Sequence, residues 1–280
     1  MKFHNIPAAD FLLDGIPKCE HSHLLAKYFP DDKVNRDGWA CDEFDQRGTI
    51  NLQFLGDSWT QGAGVGAHAA YPAHVARLVA EAYGNVPVSN WNLAWGGRSN
   101  DFMARYGLCT FPQLRPDFVF LCFTSMDRRE YFRVDGQKVL YLVDAAYVVA
   151  RGERLSDHNI DDSNAEPIRH LGALSSPYDD AVNFLKDYKL LELSLNQLGI
   201  PWGFSMIGID YVRAPIEEWM AAGWLSRDHY LGTPFLPVDK VSASDGHPGL
   251  ESHRRFGQQV FDWMQDRYGA RLASLVQNAG

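Results

Sequence analysis

The chain has 280 residues, of which 46% are hydrophobic and 22% are charged, and its formal net charge at pH 7 is −9. This acidic balance disfavours nucleic acid and anionic membranes as partners, because both need a concentrated basic face, and a neutral small molecule fits better. No apolar stretch reaches the length of a membrane span. A chain of this length can form one large domain or two small ones, and we favour one domain with insertions.

The amino-terminal residues and the cysteines bear on the cellular compartment. The first residues lack the long apolar core and small-residue cleavage site of a secretory signal, so no signal peptide is expected. The cysteines show no paired short spacing, which predicts reduced thiols and a cytoplasmic protein, with Cys109 and Cys122 in the core. His21 and His23 stand close to Cys19, but no second spaced pair of ligands follows, so surface or packing roles are expected and no metal site.

Strand and helix patterns alternate along most of the chain. Residues 1–49 show no sustained period and are predicted to be an extension, with a short helix near Ser22–Tyr28, that packs on a single domain at residues 50–280. Within that domain, buried-strand patterns alternate with helical periodicity, which predicts an α/β fold with a parallel sheet. Two predicted insertions lie near residues 133–178 and 214–240. The predicted strands are Ile50–Leu55, Val88–Ala94, Asp117–Phe123 and Pro201–Ile209; the predicted helices are Pro72–Tyr83, Phe102–Phe111 with Pro112–Pro116 as its exit, Ala181–Leu198 and Glu251–Tyr268.

The first predicted strand runs directly into Gly56, Asp57 and Ser58. Gly56 allows a sharp turn, so Ser58 is expected at the carboxyl end of the strand, which is the edge where open α/β sheets bind ligands. Backbone N–H groups that the following helix leaves unpaired are found at the same edge. Ser58 can therefore be a nucleophile, or Asp57 and Ser58 can merely cap the helix that carries His68 to Tyr83.

Two further segments add to this motif. The stretch Asn92–Asn100 contains paired glycines after the second predicted strand, and Asp245-Gly246-His247-Pro248 precedes the last helix. Together with Gly56-Asp57-Ser58, and in this order, they resemble the sequence blocks of the SGNH/GDSL hydrolase family. The resemblance spans roughly Ile50–Met264. It implies a three-layer α/β/α fold with a flavodoxin-like, doubly wound parallel sheet.

The resemblance also implies chemical roles. Ser58 would be the nucleophile, His247 the base that removes its proton, and Asp245 the acid that orients the imidazole. The backbone N–H groups of Ser58 and Gly97 would form the oxyanion hole. The implied activity is hydrolysis of a short-chain or acetyl ester, such as an acylated carbohydrate, without a metal or other cofactor. Aromatic residues between Glu217 and Leu236 fit either a sugar-stacking wall or a packed insertion.

Two positions depart from the family pattern. The family places its aspartate three residues before the histidine, where this chain has Ser244, whereas Asp245 stands two before; a backbone carbonyl is the alternative partner of the ring. Met126 stands where the family has an asparagine that serves as third oxyanion donor, and methionine cannot donate a hydrogen bond. The candidate replacements are Asn100, Ser125 and Arg128, although Arg128 to Glu130 can equally form a structural ion pair.

Other functions remain open at this point. Met126 is compatible with a carbohydrate-binding or structural module in which the triad is a relic, and an O-acyltransferase would use the same residues as a hydrolase. The glycines from Gly62 to Gly66 do not have the Gly-x-Gly-x-x-Gly spacing, and no convincing acid follows, so a dinucleotide site is disfavoured. His253, in the first turn of the last helix, is expected to be structural.

Overall fold

The computed structural model describes residue 19 and residues 32–132, 138–141, 152–154, 165–174, 176–208 and 215–279. The helix predicted near Ser22–Tyr28, the histidines His21 and His23, and most of the insertion predicted at residues 133–178 lie outside this part of the chain. The predicted domain boundaries stay predictions.

In the described part of the chain, four strands form a parallel sheet in the order β2-β1-β3-β6, and two further strands pair with each other in antiparallel fashion. In this register Phe54 pairs with Asn92 on one side and with Phe120 on the other. The strand order reverses between β1 and β3, which is the point where ligands bind in doubly wound sheets. The strands are β1 (Ile50–Leu55), β2 (Val88–Asn92), β3 (Phe118–Phe123), β4 (Arg129–Phe132), β5 (Lys138–Tyr141) and β6 (Trp202–Met206).

Helices cover both faces of the parallel sheet, so side chains on both faces of its strands are buried. The helices are α1 (Ser58–Gln61), α2 (Tyr71–Ala82), α3 (Asn100–Leu114), α4 (Ala165–Leu174), α5 (Pro177–Leu198), α6 (Ile216–Ala221) and α7 (Leu250–Ala279), with 3-10 turns at Ala67–Ala69 and Arg227–His229. Alternate residues of β3 belong to different cores: Val119 and Leu121 pack in the core beneath α3 and α5, and Phe118 and Phe120 in the core beneath α2 and α7. The predicted α/β class with a doubly wound parallel sheet is confirmed.

Two helices, α3 and α7, continue beyond the carboxyl-terminal ends that the sequence predicts. The sequence pattern places Pro112 at the exit of its helix, but this residue lies inside α3, which continues to Leu114. A proline inside a helix removes one backbone hydrogen bond, and the packing of α3 on α5 holds the helix together past this residue. The sequence pattern predicts that the last helix ends at Tyr268. In the structure α7 continues to Ala279, because Leu272 still packs in the core under α2.

Three further features of the described residues concern cysteines, membrane spans and metal ligands. Cys109 and Cys122 are buried, as predicted, and all four cysteines are free of disulfide bonds. Among the residues that the structure describes, no helix has the length and apolar character needed to cross a membrane. Within the same part of the chain, no cluster of histidine, cysteine and acidic side chains could hold a metal ion.

Candidate active site

Ser58 is the first residue of α1, directly after the turn that follows β1. A side chain at Gly56 would overlap that of Thr60, so this turn requires glycine. Asp57 is the N-cap of α1, and its carboxylate accepts a hydrogen bond from the backbone N–H of Trp59 at 3.0 Å. The capping function considered for Asp57 therefore applies to this four-residue helix and not to the later helix, α2, which begins at Tyr71 without a side-chain cap.

The structure brings Ser58, His247 and Asp245 together. The Nε2 atom of His247 lies 3.1 Å from the Oγ atom of Ser58, and Nδ1 lies 2.6 Å from Oδ1 of Asp245. The same carboxylate oxygen accepts the backbone N–H of His247 at 3.0 Å. The backbone and side-chain hydrogen bonds from His247 hold the pKa of Asp245 below its ordinary value, which favours the charged carboxylate.

His247 is carried by a short hairpin that returns to the start of α7. The N–H of Val241 donates to the carbonyl of His247 at 3.0 Å, and the N–H of Gly249 donates to the carbonyl of Asp239 at 3.1 Å. The carboxylate of Asp239 accepts the backbone N–H groups of Glu251 and Ser252 at 3.1 and 2.8 Å, and also the hydroxyl of Ser252. Asp239 thereby joins the hairpin to the amino terminus of α7.

The loop that follows β2 passes next to Ser58. The N–H of Gly96 donates to Oε1 of Gln61 at 2.8 Å, and a Cβ at Gly96 would lie 3.5 Å from Cβ of Ser58, so this loop runs directly beside the serine. Neither the N–H of Gly97 nor that of Ser58 donates to another described residue.

The three candidates for a third donor each have partners at the end of β3. The amide group of Asn100 donates to the carbonyl of Thr124 at 3.2 Å and accepts its N–H at 3.0 Å, and Ser125 bonds to Asp127. Nη1 of Arg128 lies 2.6 Å from Oδ2 of Asp57 and 2.8 Å from the hydroxyl of Thr124. Arg128 does form an ion pair, and its partner is the acid next to Ser58.

Sequence reasoning missed Gln61 and Asp239 as supporting residues of the site. Gln61 had a local signal, because a side chain three residues after Ser58 lies on the same face of a helix turn. No local signal pointed to Asp239, because its hydrogen bonds to the start of α7 form only when the hairpin brings these residues together. His253 is fully buried, and Nδ1 accepts the N–H of Tyr71 at 3.2 Å, which supports the structural role predicted for it.

The fold and these distances define an α/β protein whose serine, histidine and aspartate are arranged as in a serine hydrolase. Residues 54–155 match the GDSL-like Lipase/Acylhydrolase family. The resemblance to the SGNH/GDSL hydrolases that the sequence motifs indicate is confirmed by this match. No curated protein matches the chain.

Several solved structures are similar to the chain at low identity. They include TesA (13% identity, TM-score 0.45, covering 77% of this chain and 98% of that one) and the psychrotrophic esterase EstA from Pseudoalteromonas sp. (11%, 0.44, 77% and 97%). A catalytic mutant of the acetylxylan esterase Axe2 from Geobacillus stearothermophilus is also similar (14%, 0.43, 78% and 95%). Similarities this distant do not identify a substrate.

Proposed function

We propose that the chain hydrolyses O-acyl esters through an acyl-enzyme intermediate on Ser58. The observation that carries the proposal is the distance of 3.1 Å between Nε2 of His247 and Oγ of Ser58, combined with the contact of the other ring nitrogen with Asp245. A neutral imidazole with its proton on Nδ1, facing the carboxylate, presents the lone pair of Nε2 to the serine hydroxyl. That arrangement is what a general base needs.

The proposed reaction begins with attack of Oγ of Ser58 on the ester carbonyl while His247 takes the hydroxyl proton. The charge on the imidazolium is stabilised by Asp245, whose lowered pKa keeps it ionised. The N–H groups of Ser58 and Gly97 would donate to the oxyanion, and each such donor typically lowers the barrier by ~3 kcal/mol. His247 then gives its proton to the leaving alcohol, and a water molecule repeats the sequence to release the acid.

The third oxyanion donor is also part of the proposal. Arg128 lies next to Asp57 and carries further N–H groups besides the one bound there, whereas the amide of Asn100 donates to the end of β3. Of the candidates, Arg128 is therefore favoured. Its positive charge would also stabilise the developing oxyanion.

The test is hydrolysis of p-nitrophenyl acetate by Ser58→Ala and by a matched control, Ser244→Ala. Ser58→Ala should lower kcat at least ~10⁴-fold, because a serine nucleophile and its base act as one unit. Ser244 lies in the same hairpin as His247, but its hydrogen bonds within the described residues go to Ser242, so its variant should keep full turnover. Unchanged turnover by Ser58→Ala would refute the proposal.

Labelling with a fluorophosphonate separates a hydrolase from a relic module. An active Ser58 becomes covalently modified, and the label should be absent in Ser58→Ala and in His247→Gln. A wild-type chain that takes no label and shows no turnover would indicate a binding or structural module. Addition of an alcohol acceptor to the assay distinguishes acyl transfer from hydrolysis, since only transfer yields a new ester.

A further inference from the structure

An apolar groove lies between the amino-terminal half of α5 and the segment that contains α6. Its walls include Met126, Tyr178, Val182, Leu185, Trp219 and Trp224, and its volume is about 870 Å³. Tyr178 and Trp224 are 80% and 52% exposed, although both are large aromatic residues. Exposed aromatic side chains gathered around one cavity indicate a ligand-binding surface.

The groove is at the same edge of the sheet as Ser58. Met126 follows the carboxyl end of β3, and α6 follows the carboxyl end of β6, while Ser58 follows the carboxyl end of β1. Since all these strands are parallel, their carboxyl ends share one edge. The groove therefore opens on the side of the sheet that carries the reacting serine, over the half formed by β3 and β6.

Packing joins the groove to the serine turn. Trp219 stacks on Phe184 with ring centroids 5.6 Å apart, and Phe184 contacts the edge of Phe123, the last residue of β3, at 5.3 Å. The next residue, Thr124, donates its hydroxyl to Asp57 at 2.8 Å. Met126 lines the groove two residues further along the same turn.

The walls favour an uncharged chain over a polar group. The charged residues that line the groove in the described part of the chain are Lys186 and Lys189, which bond to Asn183 and Glu192 of the same helix. The volume is in the range of small-molecule sites and far exceeds an acetyl group. Each methylene that leaves water for such a surface increases binding about fourfold.

We propose that this groove binds an unbranched alkyl chain of the ester substrate, so that the enzyme prefers lipid-like esters to acetate esters. The inference rests on the proposed function and specifies its substrate class. A larger apolar group is thus favoured over the acetyl group that the sequence suggested.

The test compares two series of substrates on the full chain. In one series the acyl group of p-nitrophenyl esters grows from acetate through butyrate and octanoate to dodecanoate; in the other the alcohol of alkyl acetates grows in the same way. We expect kcat/KM to rise with chain length in one of the two series, and the series that responds identifies the side of the ester that enters the groove.

Two variants on α5 make the test specific. Val182→Trp fills the groove from a position that is 39% exposed, and should lower kcat/KM for the longest ester about tenfold more than it lowers kcat/KM for acetate. Leu190→Trp adds the same side chain to the same helix outside the groove, at a position 46% exposed, and should change neither. Trp224→Ala, which opens the groove at its exposed side, should also reduce the preference for long chains.

The outcomes separate this inference from the proposed function. If kcat/KM is flat or falls with length in both series, or if Val182→Trp affects acetate and dodecanoate equally, the groove assignment is wrong. Loss of acetate turnover in Ser58→Ala would still support the hydrolase. If Ser58→Ala keeps its turnover, the proposed function itself fails.

Discussion

The two sides of the candidate active site are built differently. On the nucleophile side, which comprises the turn and helix at residues 56–61, Asp57 is fully buried and Ser58 is 8% exposed. On the base side, which is the hairpin at residues 239–249, the side chains of Asp245 and His247 are 39% and 36% exposed. One half of the proposed triad thus lies in the interior of the fold, and the other half lies on a surface hairpin.

The two sides also differ in how their carboxylates are held. Asp57 receives donors from three places: the N–H of Trp59, the hydroxyl of Thr124 and the guanidinium of Arg128. A carboxylate removed from water is stable only with such partners. Asp245 bonds within its own hairpin, so its position relative to Ser58 depends on what anchors the hairpin. Burial fixes Ser58, and a few hydrogen bonds at the start of α7 fix the hairpin that carries His247.

The strongest way to disturb the nucleophile side is to remove the cation that pairs with Asp57. In Arg128→Met the carboxylate stays buried but loses its ion pair, and breaking one partner of a buried pair typically costs about 3 kcal/mol or more. We expect the free energy of unfolding, measured by urea denaturation, to fall by that amount. Activity should fall as well, because the Asp57 turn positions Ser58.

Arg227→Met is the matched control. Arg227 also pairs with one carboxylate, that of Glu217, at 2.7 Å, but the two side chains are 62% and 70% exposed. An exposed pair contributes less than about 1 kcal/mol, so this variant should unfold almost like the wild type. If the free energy of unfolding fell equally in the two variants, burial would not determine the strength of the ion pair between Arg128 and Asp57.

Variants on the base side should lower the reaction rate more than they lower the free energy of unfolding. Asp239→Asn keeps the size of the side chain but replaces one of its two acceptor oxygens with an N–H₂ group, so one of the two N–H groups at the start of α7 loses its acceptor. The hairpin that carries His247 should shift, and a displacement of the order of 1 Å can cost roughly 10²-fold in rate. We expect kcat to fall between about tenfold and about a hundredfold, with KM nearly unchanged.

Glu251→Gln provides the comparison for this variant. The side chain of Glu251 lies in the same turn of α7, but its partners among the described residues are Arg254 and Arg255, away from the hairpin. Its kinetics should match those of the wild type. If Asp239→Asn changed KM and kcat to the same extent, or if Glu251→Gln slowed the reaction equally, Asp239 would have no specific part in positioning His247.

The contrast between the two sides also explains what the sequence could predict. Strands such as β3 are continuous apolar runs, because both faces are buried, and their order along the chain predicted the parallel sheet. Ser58 could be predicted as a site residue because its motif follows a strand and precedes a helix, and His247 because its motif and that of Ser58 together resemble the sequence blocks of the SGNH/GDSL family. Their proposed roles in catalysis stay a prediction until the variants are assayed.

The supporting contacts could not be predicted because they depend on pairing across the chain. The bond between Arg128 and Asp57 joins residues that are 71 positions apart. Asp239 contacts α7 only because a hairpin of unpredictable register brings it back. At Pro112 a local signal was present but misleading. The proline predicts a helix end, and the packing of α3 on α5 overrides it.

The smallest expected effect concerns His253, which is buried in the first turn of α7 beneath the hairpin of the base side. Burial, and secondarily the nearby His74, lowers the pKa of His253 from its ordinary 6.5 to about 4, so the folded chain keeps the ring neutral. A histidine with a lowered folded-state pKa stabilises the fold less as the pH falls, because the unfolded chain takes up a proton that the folded chain does not. The loss begins below pH 6.5 and is complete near pH 4, and at about pH 5.5 it should amount to about 1.4 kcal/mol.

The variant His253→Gln isolates this contribution. It removes the titrating ring, while an amide oxygen can still accept the N–H of Tyr71. The free energy of unfolding of the variant, measured by urea denaturation between neutral pH and about pH 5, should therefore decline less steeply than that of the wild type. Parallel curves for the two proteins would show that His253 does not stay neutral in the folded state. Burial would then not lower the pKa of this ring as expected.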